Sequence, residues 1–311
     1  MAEARAALQQ AFAAALYAPS ADERDRAAQE LVERLDQFVR IEPIQDPPDL
    51  RGAVGATRRI LGGQPTPLSC MTDAELQALN SLLPWAALTV DTSGRPVGQA
   101  FSPGKRSRAH VLLDKRQVAF DQEFPLSGRH VVEIGCFEGV QTLGLLLLGA
   151  RVTAVDGRVE NVLKTLARVW AYGRSCDVRL WDVETPPRAD MPDSWAVLHH
   201  VGVLYHLAQP VEHLDMVLPR TSGAVLMDTH VADDETIANH SYEVDGRTYR
   251  YRRKPEPYAA VSPFAGIKDH AKYLLLEDLT DIFRRHGFGD VRLVNDRAER
   301  NGRRVLVWAF R

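Results

Sequence analysis

Histidine and aspartate side chains, which can take up and release protons, end two apolar segments in the second half of the chain. His199 and His200 end WAVLHH, and Asp228 lies two residues before His230 at the end of GAVLMDTH. A positioned histidine with a pKa near neutral pH can remove a proton from a reacting group. In parallel sheets, ligands bind at the carboxyl ends of the strands. We therefore predict a site there, with His199 and His200 as acid–base candidates and Asp228 and His230 as substrate-binding candidates.

A second chemically informative group lies in the segment EIGCFEG. Gly135 and Gly139 follow the β-branched run RHVVEI and precede the apolar run VQTLGLLLLG, so they predict a turn where backbone approaches a ligand closely. The spacing is not the dinucleotide-binding G-x-G-x-x-G, and no Gly-Lys-Ser/Thr follows as in a P-loop. What remains is Glu133-x-Gly135-x-x-x-Gly139, with Cys136 directly after the first glycine.

Two acids end the next two predicted strands. Asp156 ends VTAVD, where a carboxylate can accept hydrogen bonds from a ribose diol, and Asp182 ends VRLWD, where it can accept from an adenine amino group. Together with the glycine turn, these acids predict a cofactor that carries a nucleoside.

The elements that position these residues alternate between strand and helix from about residue 116. Such alternation predicts an α/β domain with a doubly wound, mostly parallel sheet. The segments DVRLVND and RRVLVWAF flank a short turn, which predicts a terminal β-hairpin. Residues 1–115 predict a helical cap with a small hairpin, and residues 116–311 predict the cofactor-binding domain.

An inserted hairpin is predicted at about residues 238–273. Asp245-Gly246 lies between alternating residues in SYEVDGRTYRYRRK, a signal for a type I′ turn. We expect this hairpin to form a lid beside the site, with Tyr242 and Tyr249 as substrate-binding candidates. Its basic residues, interleaved with tyrosines, have a composition that can follow phosphates and stack bases. The alternative is a solvated edge strand that its charges protect from aggregation.

The ordered set from Glu133 to Asp182 resembles the class I S-adenosylmethionine-dependent methyltransferase family, over about residues 125–311. Glu133, Gly135 and Gly139 match the first family motif, and Asp156 and Asp182 match the acids of the second and third strands. The terminal hairpin is also the family's topology. The resemblance implies a Rossmann-like methyltransferase fold with a seven-stranded sheet and S-adenosyl-L-methionine as the cofactor. Cys136 and His199 are expected to join these residues in lining the cofactor.

A narrower resemblance lies in HHVGVLYHLAQPVEHL, which is similar to the GVLYH-x-x-x-P segment of methyltransferases related to the tRNA wobble-uridine carboxymethyltransferases. On this segment we name Tyr205 as a substrate-binding candidate and His206 as a catalytic candidate. The upstream LTVDTSGRPVGQAFSPGKR resembles their lead-in segment, and its Arg106 is a further substrate-binding candidate. The family's lead-in tryptophans are absent here, so fold and cofactor carry over and the RNA substrate does not.

Composition excludes several classes of protein. The 311 residues are 45% hydrophobic and 25% charged, which excludes a disordered chain, a collagen and a disulfide scaffold. A net charge of −3 indicates no strong global attraction to nucleic acid or membrane. The three cysteines are an odd number at wide spacing and predict reduced thiols. No pair of histidines or acids at i, i+4 spacing supports a metal site, so none is predicted.

The amino terminus has an apolar stretch that Glu3, Arg5 and Gln9 interrupt, which fits neither a signal peptide nor a membrane helix. We therefore predict a cytoplasmic protein without a membrane partner, and the sequence indicates no oligomeric state.

These observations predict a transferase that methylates a nitrogen or oxygen of a small polar metabolite. Three alternatives stay open. The first is a tRNA-modifying transferase that acts on the wobble uridine. The second is a cyclase that closes a ring within the cofactor's own aminobutyrate chain, and the third is a cofactor-binding module without catalysis.

Overall fold

The computed structural model describes residues 10–12, 14, 20–35, 50–62, 64–100, 108–233, 238–256 and 264–311. The chain divides into two compact units. Unit 1 comprises the described residues within 1–114, 136–147 and 158–176, and unit 2 comprises those within 115–135, 148–157 and 177–311.

The secondary structure of the described ranges is as follows. The helices are α1 (Ala21–Leu35), α2 (Arg51–Leu61), α3 (Pro67–Cys70), α4 (Asp73–Leu82), α5 (Lys115–Glu123), α6 (Val140–Leu147), α7 (Val159–Ala171), α8 (Pro210–Val217) and α9 (Leu276–Arg285). The strands are β1 (Leu88–Val90), β2 (Pro96–Gly98), β3 (His130–Ile134), β4 (Arg151–Asp156), β5 (Asp177–Leu180), β6 (Trp195–Val201), β7 (Thr221–His230), β8 (His240–Val244), β9 (Arg247–Pro255), β10 (His270–Leu274), β11 (Asp290–Glu299) and β12 (Gly302–Phe310). A 3₁₀ turn spans Leu204–His206.

Unit 1 is largely helical, and α3 and α4 begin at capping boxes, whereas α2 and α7 have no side-chain cap. At α4 the Thr72 hydroxyl accepts a hydrogen bond from the Glu75 N–H, and the Glu75 carboxylate accepts one from the Thr72 N–H. This reciprocal pair is a capping box. The core of unit 1 packs Leu68 and Trp85, both at 0% exposure, with Leu143 and Tyr172.

Unit 2 is organised around a seven-stranded sheet with the order β11-β12-β7-β6-β3-β4-β5. The five strands from β7 to β5 are parallel, whereas β12 is antiparallel to both β7 and β11. From β3 the chain continues to β4 and β5 on one side and later to β6 and β7 on the other. The boundary between β3 and β6 is therefore the switch point, where ligands bind beside the carboxyl ends of the strands.

A three-stranded antiparallel sheet with the order β10-β9-β8 also belongs to unit 2. Its β8–β9 turn has Asp245 at φ 49° and Gly246 at φ 73°. Positive φ at two successive residues is the type I′ geometry that an Asp-Gly pair favours. The role of this hairpin as a lid stays a prediction.

The mostly parallel seven-stranded sheet with its terminal β11–β12 hairpin confirms the predicted α/β fold. Unit 1 includes residues 136–147 and 158–176, which the sequence assigns to the second domain. The predicted boundary at residue 115 therefore stays a prediction. In the parts of the chain that the structure describes, no helix has the length and apolar character needed to cross a membrane.

Candidate active site

The first glycine of the predicted cofactor turn lies directly after β3. Gly135 has φ 72°, and its N–H donates a hydrogen bond to the Val155 carbonyl at 2.8 Å. A Cβ at this position would lie 2.3 Å from Val203 Cγ2. Both the positive φ and the lack of space require glycine here.

The second glycine, Gly139, lies in unit 1 and has φ 75°. A Cβ there would lie 3.0 Å from Thr165 Cα. The Thr165 hydroxyl bonds to Cys136 Sγ at 3.4 Å and to the Phe137 carbonyl at 3.3 Å. Cys136 is therefore buried against α7, and its predicted contact with the cofactor stays a prediction.

The two acids lie at the carboxyl ends of neighbouring strands. Asp156 is the last residue of β4, and its carbonyl accepts a hydrogen bond from Trp181 N–H at 2.9 Å, just after β5. Asp182 is the next residue, and its carboxylate lies 3.4 Å from Lys268 Nζ. Gly135, Asp156 and Asp182 thus follow three adjacent strands at one edge of the sheet, as the sequence predicts. Their roles toward a cofactor stay predictions.

His199 and Glu133 lie side by side on β6 and β3, where they pair in register. Both are buried, with His199 Nδ1 3.8 Å from Glu133 Oε1. Gln117 Nε2 on α5 lies 3.2 Å from His199 Nε2. Because an amide N–H₂ donates, His199 Nε2 accepts here, and the ring proton lies on Nδ1, toward Glu133.

His200 lies in the interior of unit 2, on the other face of β6. It has 0% exposure, and its Nε2 lies 3.1 Å from Nε2 of His213 on α8. His213 Nδ1 donates to the Val183 carbonyl at 2.8 Å, so its Nε2 accepts from His200. Burial lowers the pKa of both rings, that of His213 to about 4. The structure does not bring His200 together with the other candidates, and its role as a base stays a prediction.

The segment after β6 joins the cofactor turn to a polar cluster. Gly202 has φ 83°, and its N–H donates to the Asp228 carbonyl. A Cβ at Gly202 would lie 3.7 Å from Tyr205 Oη and 3.8 Å from Arg304 Nη2. The next residue, Val203, is the one that contacts the Gly135 position. Two consecutive residues thus connect the two places, because Val203 contacts the Gly135 turn and Gly202 lies beside the Tyr205 hydroxyl and the Arg304 guanidinium.

Aromatic rings form the wall of this cluster. The Tyr205 ring lies 4.3 Å from the His206 ring and 4.7 Å from the His230 ring, measured between centroids. The Tyr273 ring on β10 stacks on His230 at 5.7 Å. The structure thus brings together Tyr205, His206 and His230, three of the predicted site residues.

Asp228 is buried beneath this cluster, and its carboxylate accepts hydrogen bonds from the guanidinium groups of Arg116, Arg297 and Arg304. Burial acts to raise its pKa, but Arg304 and Arg116 outweigh burial and lower it below the ordinary value. Asp228 is therefore an ionised anchor for three arginines. Its predicted contact with a substrate stays a prediction.

His206 forms a dyad with a glutamate that sequence reasoning missed. His206 Nδ1 lies 3.0 Å from Glu256 Oε1, and Lys254 Nζ lies 2.7 Å from the same oxygen. Burial acts to raise the pKa of Glu256, but these two hydrogen bonds lower it overall. An ionised Glu256 orients the His206 ring with its Nδ1 proton toward the carboxylate, so that Nε2 is the basic nitrogen. Glu256 lies outside any motif, and no local signal identifies it.

Two further residues of the cluster, Tyr273 and Arg304, were also missed. Arg304 lies next to Arg303 and directly before the apolar run VLVWAF of β12, so no local signal distinguishes it from a surface charge. Tyr273 has no signal in the sequence either.

The remaining predicted substrate residues lie elsewhere. Tyr242 packs against Tyr249 at 6.0 Å, and the Tyr242 ring lies 4.0 Å from Lys272 Nζ. The Tyr249 hydroxyl accepts a hydrogen bond from Arg285 at 2.6 Å. These tyrosines lie in the core of unit 2 and not with Tyr205, and their roles stay predictions. Arg106 lies outside the described residues. Among the residues that are described, no group of three or more His, Cys, Asp or Glu side chains could hold a metal ion.

Comparisons with known proteins support this arrangement at the level of the fold. No family model matches the chain. Over 155 residues the chain is 26% identical to the ubiquinone biosynthesis O-methyltransferase of Xylella fastidiosa (strain 9a5c), a match that covers 49% of this chain and 61% of that protein. The chain thus matches about three fifths of the length of this curated relative.

Solved structures are similar over a larger part of the chain. The N-terminal domain of EvdMO1, crystallised in the presence of SAH and D-fucose, is 22% identical, with a TM-score of 0.63 over 77% of this chain and 97% of that domain. The same domain with SAH bound has a TM-score of 0.62, with the same identity and coverage. The chain therefore has the fold of the class I S-adenosylmethionine-dependent methyltransferases, as the sequence resemblance implies.

Proposed function

We propose that the protein is an S-adenosylmethionine-dependent methyltransferase that methylates an oxygen of a small polar metabolite. The observation that carries this proposal is the segment from Gly202 to His206. Its Val203 fills the space beside Gly135, and its Tyr205 and His206 belong to the polar cluster with His230. One short segment thus links the glycine turn, through Val203, to a candidate base, and this link supports the proposal. The printed name of the curated relative, an O-methyltransferase, supports oxygen as the acceptor.

The cofactor fits the residues that are present. At Gly135 the place of a Cβ is taken by Val203, and the positive φ of this glycine sets the shape of the turn that would hold the cofactor. Asp156 would hold the ribose diol and Asp182 the adenine amino group. When bound, S-adenosylmethionine supplies a methyl group that passes to the acceptor oxygen as the carbon–sulfur bond breaks and leaves a neutral thioether.

His206 would take the proton that the acceptor hydroxyl loses. The Nδ1 proton already points to Glu256, so Nε2 is the nitrogen that accepts. The imidazolium that results is stabilised by the ionised Glu256 carboxylate. General base catalysis of this kind contributes about 100- to 10,000-fold in rate.

Two glycine variants test the cofactor site. Gly135→Ala should weaken SAH binding at least about tenfold, because the new Cβ forces Val203 and the turn apart. Gly128→Ala is the matched control, because Gly128 also has positive φ, at 74°, but has no atom within 4 Å of the Cβ position. Calorimetric titration with SAH measures the dissociation constant of each variant. Equal affinities for the two variants would contradict the cofactor assignment.

The products identify the reaction. Purified protein is incubated with S-adenosylmethionine and a metabolite extract, and mass spectrometry follows the small molecules. An O-methylated metabolite is the expected result, and an N-methylated one would contradict the choice of oxygen. A ring-closed cofactor fragment would indicate the cyclase, and methylation confined to added tRNA would indicate the RNA-modifying enzyme. SAH binding without any product would indicate a binding module.

A further inference from the structure

One face of the β9–β10 ladder carries a cation and a phenol side by side. Arg252 and Tyr273 pair in register and therefore point to the same side of this sheet. That side faces the candidate active site, because the Tyr273 ring stacks on His230 and lies 6.1 Å from the Tyr205 ring. Arg253, the next residue on β9, points to the opposite side.

Tyr273 has a buried hydroxyl that no described residue satisfies. The residue is 1% exposed, and its Oη has no hydrogen-bond partner within the described part of the chain. Burial raises the pKa of this phenol well above its ordinary value, so the hydroxyl stays protonated and can donate. The ionisable groups that act on it are Tyr205, Glu256, Arg252 and Arg304. A buried donor without an acceptor is unfavourable, and a bound ligand would relieve this cost.

Among the described residues of this cluster, Arg252 is the cation that has no carboxylate within 4.0 Å. Arg304 lies against Asp228 and Glu299, and Lys254 lies against Glu256. The half-buried Arg252 guanidinium lies 5.8 Å from the centre of the Tyr273 ring and has no carboxylate within 4.0 Å among the described residues. A partly desolvated guanidinium recognises carboxylate and phosphate groups through two parallel hydrogen bonds.

We propose that Arg252 and Tyr273 form a subsite for an anionic group, a carboxylate or a phosphate, on the methyl acceptor. The guanidinium of Arg252 supplies the charge, and the Tyr273 hydroxyl donates a hydrogen bond to the same group. This subsite rests on the proposed function, because it orients an acceptor whose hydroxyl must reach His206. It narrows the substrate class to small hydroxylated anions.

Titrations of the full chain with simple probes test the subsite. Benzoate tests for a carboxylate, inorganic phosphate tests for a phosphate, and benzamide is the neutral match of benzoate. Binding is followed by ligand-observed NMR, with and without saturating SAH. At least one anion should bind about tenfold or more tightly than benzamide. The anion that binds identifies the group.

Three variants assign the binding to this subsite. Arg252→Gln should weaken binding of the anion about tenfold or more, and Tyr273→Phe should weaken it about threefold to tenfold. Tyr273→Phe should also leave the unfolding midpoint unchanged or raise it, because the hydroxyl has no partner to lose and its unsatisfied burial is unfavourable. Arg253→Gln is the matched control on the opposite face of the same strand and should bind the anion as the wild type does.

Anions that bind no better than benzamide, or an Arg252→Gln variant that binds them as the wild type does, would overturn the subsite. The SAH titration of the wild type is read separately. Normal SAH binding without anion binding rejects the subsite and leaves the methyltransferase proposal standing. Absence of SAH binding rejects the methyltransferase proposal. In that case the titration of the anions without SAH still decides whether the subsite exists.

Discussion

Two carboxylates of this protein are fully buried beside arginines, and their surroundings differ. Glu138 in unit 1 and Asp228 in unit 2 both have side chains at 0% exposure. The partners of Glu138 are themselves buried, whereas those of Asp228 are partly exposed.

The Glu138 network is closed. Its carboxylate accepts hydrogen bonds from the backbone N–H groups of Ala86 and Ala87 at 2.8 Å and from Lys164 Nζ at 2.9 Å. Arg168 lies 3.6 Å from the carboxylate and donates to the carbonyls of Ala87 and Val97. Lys164 and Arg168 have side chains at 1% and 0% exposure.

The Asp228 network is open on one side. Its three partners, Arg304, Arg116 and Arg297, have side chains at 15%, 25% and 33% exposure. Arg304 also lies over the Tyr205 ring at 5.3 Å, and each guanidinium has more N–H donors than one carboxylate uses. A buried carboxylate with buried partners holds the fold, whereas one with partly exposed partners can also position groups for a ligand.

The largest expected effect is on the closed network. Glu138→Gln should lower the free energy of unfolding by about 3 to 5 kcal/mol, because Lys164 and Arg168 lose their buried counter-charge. Urea unfolding followed by circular dichroism measures this. Glu123→Gln is the control, because it removes only a surface pair with Arg292 and should change the unfolding curve little. A Glu138 variant as stable as this control would break the comparison.

The next effect is a pH dependence of stability that arises from the buried histidines. The pKa of His213 is about 4 in the fold, below the ordinary 6.5, so between these values only the unfolded chain takes up the proton. His213 alone should therefore lower the free energy of unfolding by up to about 3 kcal/mol as the pH drops from 6.5 toward 4, and His200, whose pKa burial also lowers, adds to this loss. Asp228 adds nothing in this window, because its lowered pKa costs stability only below about its ordinary 3.8.

Unfolding measured from pH 4 to pH 8 shows this dependence. In His213→Leu the free energy of unfolding should fall less steeply between pH 6.5 and pH 4 than it does in the wild type. An unchanged slope would mean that His213 is not the group that titrates on unfolding.

The third effect distinguishes His200, which is buried in the core of unit 2, from His206, which belongs to the polar cluster. His206→Ala should lower turnover about 100-fold, because the candidate base is lost. His200→Ala should mainly lower stability, because its ring is buried against His213. Methyl-transfer rates and unfolding curves of both variants decide between them. A larger loss of turnover in His200→Ala would return the base to His200, as the sequence suggested.

The smallest effect concerns the open network. Asp228→Asn should lower kcat/KM about tenfold, because Arg304 loses its anchor and the cluster loses its geometry. The free energy of unfolding should fall less in Asp228→Asn than in Glu138→Gln, because water can solvate the partly exposed arginines. Equal losses of stability in the two variants would show that the Asp228 network is as closed as the Glu138 network.

The parts of the fold that the sequence predicted correctly depend on neighbours along the chain. The Gly135 turn, the strand-end acids Asp156 and Asp182, and the Asp-Gly hairpin are all local patterns. Alternation of strands and helices indicated the parallel sheet, and two strands joined by a short turn indicated the terminal hairpin. Each of these signals lies within a few residues, so no knowledge of the packed molecule was needed.

The composition of the candidate site was decided by tertiary structure. His206 meets Glu256 across 50 residues, and Arg304 meets Asp228 across 76 residues. No local pattern encodes such pairs, because they depend on how strands pair and which faces meet. His200 shows the same limit, because a strand sends adjacent side chains to opposite faces. The sequence alone therefore determined the sheet and the glycine turn after β3, whereas packing between distant segments decided that His206 joins the polar cluster and that His200 lies in the core.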